Sequence, residues 1–148
     1  MSTNDKFKRV EAMLYNYKNT QAEIKILKKD LEILENDYRG VGSIGYEEKS
    51  GPTNSFNSDV ENEVINRVEK IQKLKNKIRL KEIEIEKIDV ALDVLNNDEL
   101  YIINERYFNR NLNKNIAITL NVTKDTSIRY KNNIINKLIP LLIEINSI

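Results

Sequence analysis

Two long runs of the chain, Lys6–Tyr38 and Asp59–Leu95, contain neither Gly nor Pro and step their apolar residues by three and four in alternation. In the first run the stripe is Tyr17, Thr20, Ile24, Leu27, Leu31, Leu34 and Tyr38. In the second it is Ile71, Leu74, Ile78, Lys81, Ile85, Ile88, Leu92 and Leu95. A stripe of that period keeps to one side of an α-helix, and burying it requires a second helix. The spacing therefore predicts an all-α fold built on two helices of about 50 Å each. Lys81 is the one charge on the second stripe, either a register device or a snorkelling stem. Charged residues at 32% against aromatics at 7% suit long solvated helices better than a thick globular core.

Between the runs lie all four glycines (Gly40, Gly42, Gly45 and Gly51) and Pro52. This composition predicts a loop at 39–58, with Ser58 as N-cap of the second helix. No Gly-Lys-Ser/Thr follows the glycines and no strand precedes them, so they read as a loop rather than a phosphate cradle. Folding the chain back as an antiparallel coiled-coil hairpin buries both stripes; two parallel dimeric coils are the alternative. The acid-free run Lys70, Lys73, Lys75, Lys77, Arg79 and Lys81 is expected to pair with Asp30, Glu32, Glu35 and Asp37 across that hairpin, the alternative being a grip on DNA backbone. Ile26, Ile33, Leu80 and Ile83 fall off the stripes, and the tail after Pro140 is apolar. This surplus of apolar surface predicts a homodimer.

The chain has no Cys and no His. That removes disulfides, thiolate zinc sites, Cys nucleophiles and His-based acid–base chemistry. The carboxylates sit on solvated heptad positions, so the sequence reads as a non-enzyme without metal or cofactor. No stretch reaches the roughly 20 apolar residues of a membrane span, and Met1–Arg9 lacks the apolar core of a signal peptide. A soluble cytoplasmic protein with no membrane partner is expected.

The pattern changes after Leu95, so the sequence divides into a hairpin at 1–97 and a second domain at 98–148. Asn96 and Glu99 have capping-box spacing and open a helix through Ile102, Ile103, Tyr107 and Phe108. After a break at Asn109–Leu112, Asn113 is placed to cap a helix through Ile116, Ala117 and Leu120. Asn121 and Val122 make a tight turn, Asn being tolerant of left-handed backbone. Thr123 then caps a helix to about Leu138. Helix, short turn, helix is the helix-turn-helix arrangement. On its last helix Ser127, Tyr130, Ile134 and Leu138 are expected to point inward. Lys124, Asp125, Ile128, Arg129 and Asn132 are expected outward, with the donors, acceptors and apolar contact needed to read base edges in a major groove. Lys114, Thr123, Thr126, Lys131 and Lys137 are the candidate phosphate contacts. From Asn109 to Leu138 six cations (Arg110, Lys114, Lys124, Arg129, Lys131, Lys137) oppose one acid, Asp125, a local charge of +5. Such a patch suits phosphate neutralisation.

Arg106-Tyr107-Phe108, Ile116-Ala117, Leu120, Val122-Thr123, Thr126 and Lys137-Leu138 resemble the last helix-turn-helix of sigma factors. Over its length the chain resembles small phage and prophage regulators of the ArpU/RinA type, late-gene transcription activators of low-GC Gram-positive bacteria. The resemblance implies double-stranded promoter DNA as ligand and host RNA polymerase as a candidate partner. Two other functions join helical assembly to the same features: a DNA-packaging protein of the small-terminase kind, and a coiled-coil adaptor.

Overall fold

The computed structural model describes residues 2–44 and 54–144, with the side chains at 38–44 and 54–58 outside the description. The elements are α1 (Thr3–Tyr15), α2 (Tyr17–Ile44), α3 (Asn54–Leu92), α4 (Asn97–Ile103), a wide π-type turn (Asn104–Phe108), α5 (Asn113–Leu120), α6 (Lys124–Ile139) and a second π-type turn (Pro140–Glu144). Among the described residues the fold is all-α, with no strand.

The first run is two helices rather than one. Ser2 caps α1 by accepting from the Asp5 amide at 3.2 Å. The helix stops at Asn16, whose backbone sits at φ −87°, ψ −3°. Asn is a poor helix-interior residue because its side chain competes for backbone groups. The expected loop also narrows. α2 continues through Gly40 and Gly42, and α3 starts at Asn54, so Ser58 lies inside α3 instead of capping it. Propagation adds a hydrogen bond per residue once a helix is nucleated, and a Gly penalty of about 1 kcal/mol does not stop it here. Gly45, Gly51 and Pro52 lie outside the described residues. At its other end α3 stops at Leu92, three residues before Leu95, in a turn where Leu95 N–H donates to the Leu92 carbonyl at 3.1 Å.

Two compact units form. One spans 22–82 and holds most of α2 and α3. Ion pairs Glu23–Lys81 at 2.6 Å and Glu35–Lys75 at 3.5 Å run in opposite chain order, so the two helices lie antiparallel there. Glu35 thus meets the basic run as expected, whereas Glu32 pairs with Lys29 on its own helix. Lys81 holds the Glu23 carboxyl below the usual carboxylate range through its hydrogen bond first and its charge second. These pairs are wet and screened by solvent, so they contribute little; the apolar stripe matters more. Ile24 and Ile78 are buried, and Leu27, Leu31, Leu34, Ile71 and Leu74 are half-buried. Ile26, Ile33 and Leu80, off the stripe, are 61%, 60% and 66% exposed.

The other unit takes in residues 1–21 and 83–148. Packing thus joins α1 to the C-terminal helices, whereas the sequence division falls at 97/98. Val10 and Leu14 of α1 are fully buried among Ile88, Ile103, Tyr107, Ile135 and Leu138. Full burial of each such aliphatic side chain is worth about 1.5–3 kcal/mol, so α1 is a structural part of this core. No helix among the described residues is long and apolar enough to cross a membrane.

Candidate nucleic-acid interface

Local chemistry sets each helix of the C-terminal region. Asn96 accepts from the Glu99 amide at 2.9 Å while Glu99 accepts from the Asn96 amide at 3.1 Å, a complete capping box at the start of α4. After the first π-type turn, Arg110 takes left-handed backbone at φ 54°. Its guanidinium lies 5.5 Å from the Tyr15 ring centroid and donates to the Tyr15 carbonyl at 3.4 Å, tying this corner to α1. Asn111 then organises the entry to α5. Its Oδ1 accepts from the Leu112 amide at 2.9 Å and from Asn115 Nδ2 at 3.0 Å, and its own amide donates to Glu105 at 3.3 Å. The expected cap at Asn113 is therefore displaced: Asn113 is the first helical residue, Leu112 occupies the cap position without a side-chain bond, and Asn111 satisfies the Leu112 N–H.

α5 ends on Asn121 at φ 57°, ψ 45°. Val122 N–H donates to the Ala117 carbonyl at 3.0 Å and Asn121 N–H to Ile118 at 3.1 Å, which closes the helix as a Schellman turn. Thr123 caps α6 by accepting from the Thr126 amide at 3.1 Å. Buried Ile116 and Ala117 face the core, half-buried Leu120 and Val122 fill the corner, and Ile118 is 76% exposed on the outer side.

The faces of α6 differ in part from expectation. Ser127, Ile134 and Leu138 are buried, joined by Ile135 and Ile139. Tyr130, expected inside, is 41% exposed. The cause is α1, which packs on α6 and shifts the inner stripe to Ser127, Lys131, Ile134, Ile135 and Leu138. Lys131 thus lies on the inner face. Its ammonium stands 3.6 Å from Glu11 Oε2, with the two side chains only 13% and 22% exposed. The Tyr107 hydroxyl donates to the same oxygen at 2.7 Å. Burial, then the Glu11 hydrogen bond and charge, push the Tyr107 phenol well above its ordinary value.

Of the residues expected at bases, Lys124, Asp125 and Arg129 are exposed, while Ile128 and Asn132 are half-buried on the flank. Of those expected at phosphates, Lys114 is exposed, and the Thr123 and Thr126 hydroxyls bond each other at 2.7 Å within the cap. Lys131 is tied to Glu11, and Lys137 to Glu99 at 3.3 Å. Lys114, Lys124 and Arg129 have no carboxylate partner among the described residues; Arg129 lies 6.0 Å from the Tyr130 ring centroid. The sequence reading passed over Asn133 and Asn136, both exposed. With Asp125 and Arg129 they stand at i, i+4, i+8 and i+11, a polar line visible in the spacing. Among the described residues no group of carboxylates is placed to hold a metal ion. Comparison of the chain with protein-family models, curated proteins and solved structures finds no match.

Proposed function

We propose that the chain is a sequence-specific DNA-binding transcription regulator of phage or prophage type, with α5 and α6 as its helix-turn-helix and α6 as the helix that enters the major groove. One observation carries this reading. Cations on the outer side of α5 and α6 (Lys114, Lys124 and Arg129) lack a carboxylate partner among the described residues, whereas the inward or lateral cations Lys131 and Lys137 are neutralised by Glu11 and Glu99. The sharp turn at Asn121 and the Thr123 cap present the first turn of α6 beside that open charge. In helix-turn-helix proteins this is the part that reaches base edges. Lys124, Asp125 and Arg129 then read bases, with Ile128 and Asn132 at the edge of the contact. Lys114 and the free amides at the start of α6 take phosphate. In the same reading α2 and α3 form a coiled-coil hairpin that dimerises through Ile26, Ile33 and Leu80, and host RNA polymerase is the protein partner.

Selection of a site from a random duplex library tests this. Arg129→Ala is expected to cost about 1–3 kcal/mol at the selected site and to blur one position of it. With Lys114 the one open cation assigned to phosphate, log K should fall against log salt with a shallow slope of about −1 per protomer. A chain that selects no sequence and binds DNA no better than an acidic control protein refutes the reading.

A further inference from the structure

Several asparagines beside α6 have a local role: Asn96 caps α4, Asn111 holds the entry to α5, and Asn121 makes the left-handed turn. Asn132 and Asn136 have no such role. They stand in the interior of α6, at i+3 and i+7 from Arg129 and on the same side of the helix. Asn136 is exposed and Asn132 half-buried, and neither side-chain amide meets a hydrogen-bond partner among the described residues. Asn is one of the weaker helix formers, because its side chain competes for backbone groups. Lys, Glu or Gln would keep the face wet at less cost to the helix. A local rule broken twice on one face, with nothing gained inside the fold, points to a contact outside it. Asn133 is exposed as well, but it borders a hollow with Asp98 and Glu99, whose charge opposes phosphate.

The chemistry of the amide selects the contact. Its donor and acceptor match N7 and the N6 amino group of adenine, an adjacent acceptor and donor that no other base presents in the major groove. Ile128, one turn before Asn132, supplies apolar contact of the kind a thymine methyl takes. Arg129 and Asp125 match guanine and cytosine. Along the helix Asn132 lies about 4.5 Å and Asn136 about 10.5 Å beyond Arg129. At about 3.4 Å per base pair, that reach covers about three steps. We propose that α6 reads a composite site: a G·C pair at Arg129, and within about three base pairs of it A·T pairs whose adenines are held by Asn132 and Asn136. This rests on the DNA-binding reading and adds to it the base composition of the site.

The test uses the full chain and the duplex selected from the random library. Each adenine is replaced in turn by 7-deazaadenine, which keeps its pairing to thymine and lacks N7. Anisotropy titration at fixed salt is expected to show a loss of about 10-fold at two adenines per bound protomer, about 1.4 kcal/mol each. Asn132→Ala and Asn136→Ala should each weaken binding about 10-fold and abolish the effect of the analogue at one of the two adenines. Each should also raise the melting temperature by about 2–4 °C, since Ala is the better helix former. Should a variant fail to fold, the analogue series on the parent chain still reads the contact. A chain that selects no sequence overturns the DNA-binding reading and this inference together. Three results overturn this inference alone. One is a selected site with no adenine within about three base pairs of the position that Arg129→Ala blurs. Another is 7-deazaadenine bound as well as adenine. The third is Asn→Ala variants that keep the analogue effect at both adenines.

Discussion

Replacing Lys131 by Ala is expected to loosen the unit that holds α6, beyond any effect on DNA. Unit charges 3.6 Å apart attract by about 5 kcal/mol at an effective dielectric of about 20. Desolvation and side-chain ordering offset most of that. Exposed pairs retain at most about 1 kcal/mol, whereas removing one partner of a buried pair costs about 3–5 kcal/mol. At 13% and 22% exposure the Lys131–Glu11 pair lies between these limits, so a loss of about 2 kcal/mol is expected. In a unit of this size that lowers the melting temperature by about 8–16 °C. Thermal unfolding followed by tyrosine circular dichroism reads it. Lys131→Met keeps the buried stem and isolates the charge. Pairing it with Glu11→Gln, which retains an acceptor for Tyr107, should recover part of the loss. If Lys131→Ala melts within about 2 °C of the parent while its salt slope shrinks by about 0.9, Lys131 is a phosphate contact and the inner-face reasoning fails.

Burial and the hydrogen bond to Asp89 push the Tyr17 phenol up to about 12. Its folded value exceeds the unfolded value of about 10, so its contribution is whole below about pH 10 and is lost as pH rises through 12. Melting temperature should fall more steeply over that window in the parent than in Tyr17→Phe; parallel curves would remove Tyr17 from the account. At the α5–α6 turn, Asn121→Gly should leave stability unchanged or slightly raised. Asn121→Val, forced to φ 57° with a branched side chain, should cost about 1–2 kcal/mol. A Val variant that melts with the parent would mean that the left-handed turn does not persist in solution.

Features set by neighbours in sequence were legible. The capping box at Asn96 and the Thr123 cap follow from side chains that bond backbone within three residues, the left-handed Asn121 from a residue type that tolerates that backbone, and the stripe through Ile24 and Ile78 from helical period. Features set by distant packing were not. Val10 and Leu14 look like an ordinary extension of the first run, yet they sit in a core with Ile135 and Leu138, which no local pattern records. That contact turned the inner face of α6, moved Tyr130 out and drew Lys131 in. The Gly-rich segment misled for the opposite reason: Gly40 and Gly42 favour a loop on propensity alone, but an established helix carried through them.

The same distinction governs how charge should be read. Counted along Asn109–Leu138, six cations face one acid, and a phosphate count from that total would give a salt slope near −5. Two of those cations meet acids far away in sequence, Lys131 at Glu11 and Lys137 at Glu99. A third, Arg110, is turned onto the Tyr15 ring and its carbonyl. What remains open is Lys114, Lys124 and Arg129, on the side where α5 and α6 expose polar and apolar groups together. The usable charge is therefore smaller than the sequence total, with Lys124 and Arg129 on α6 and Lys114 on α5.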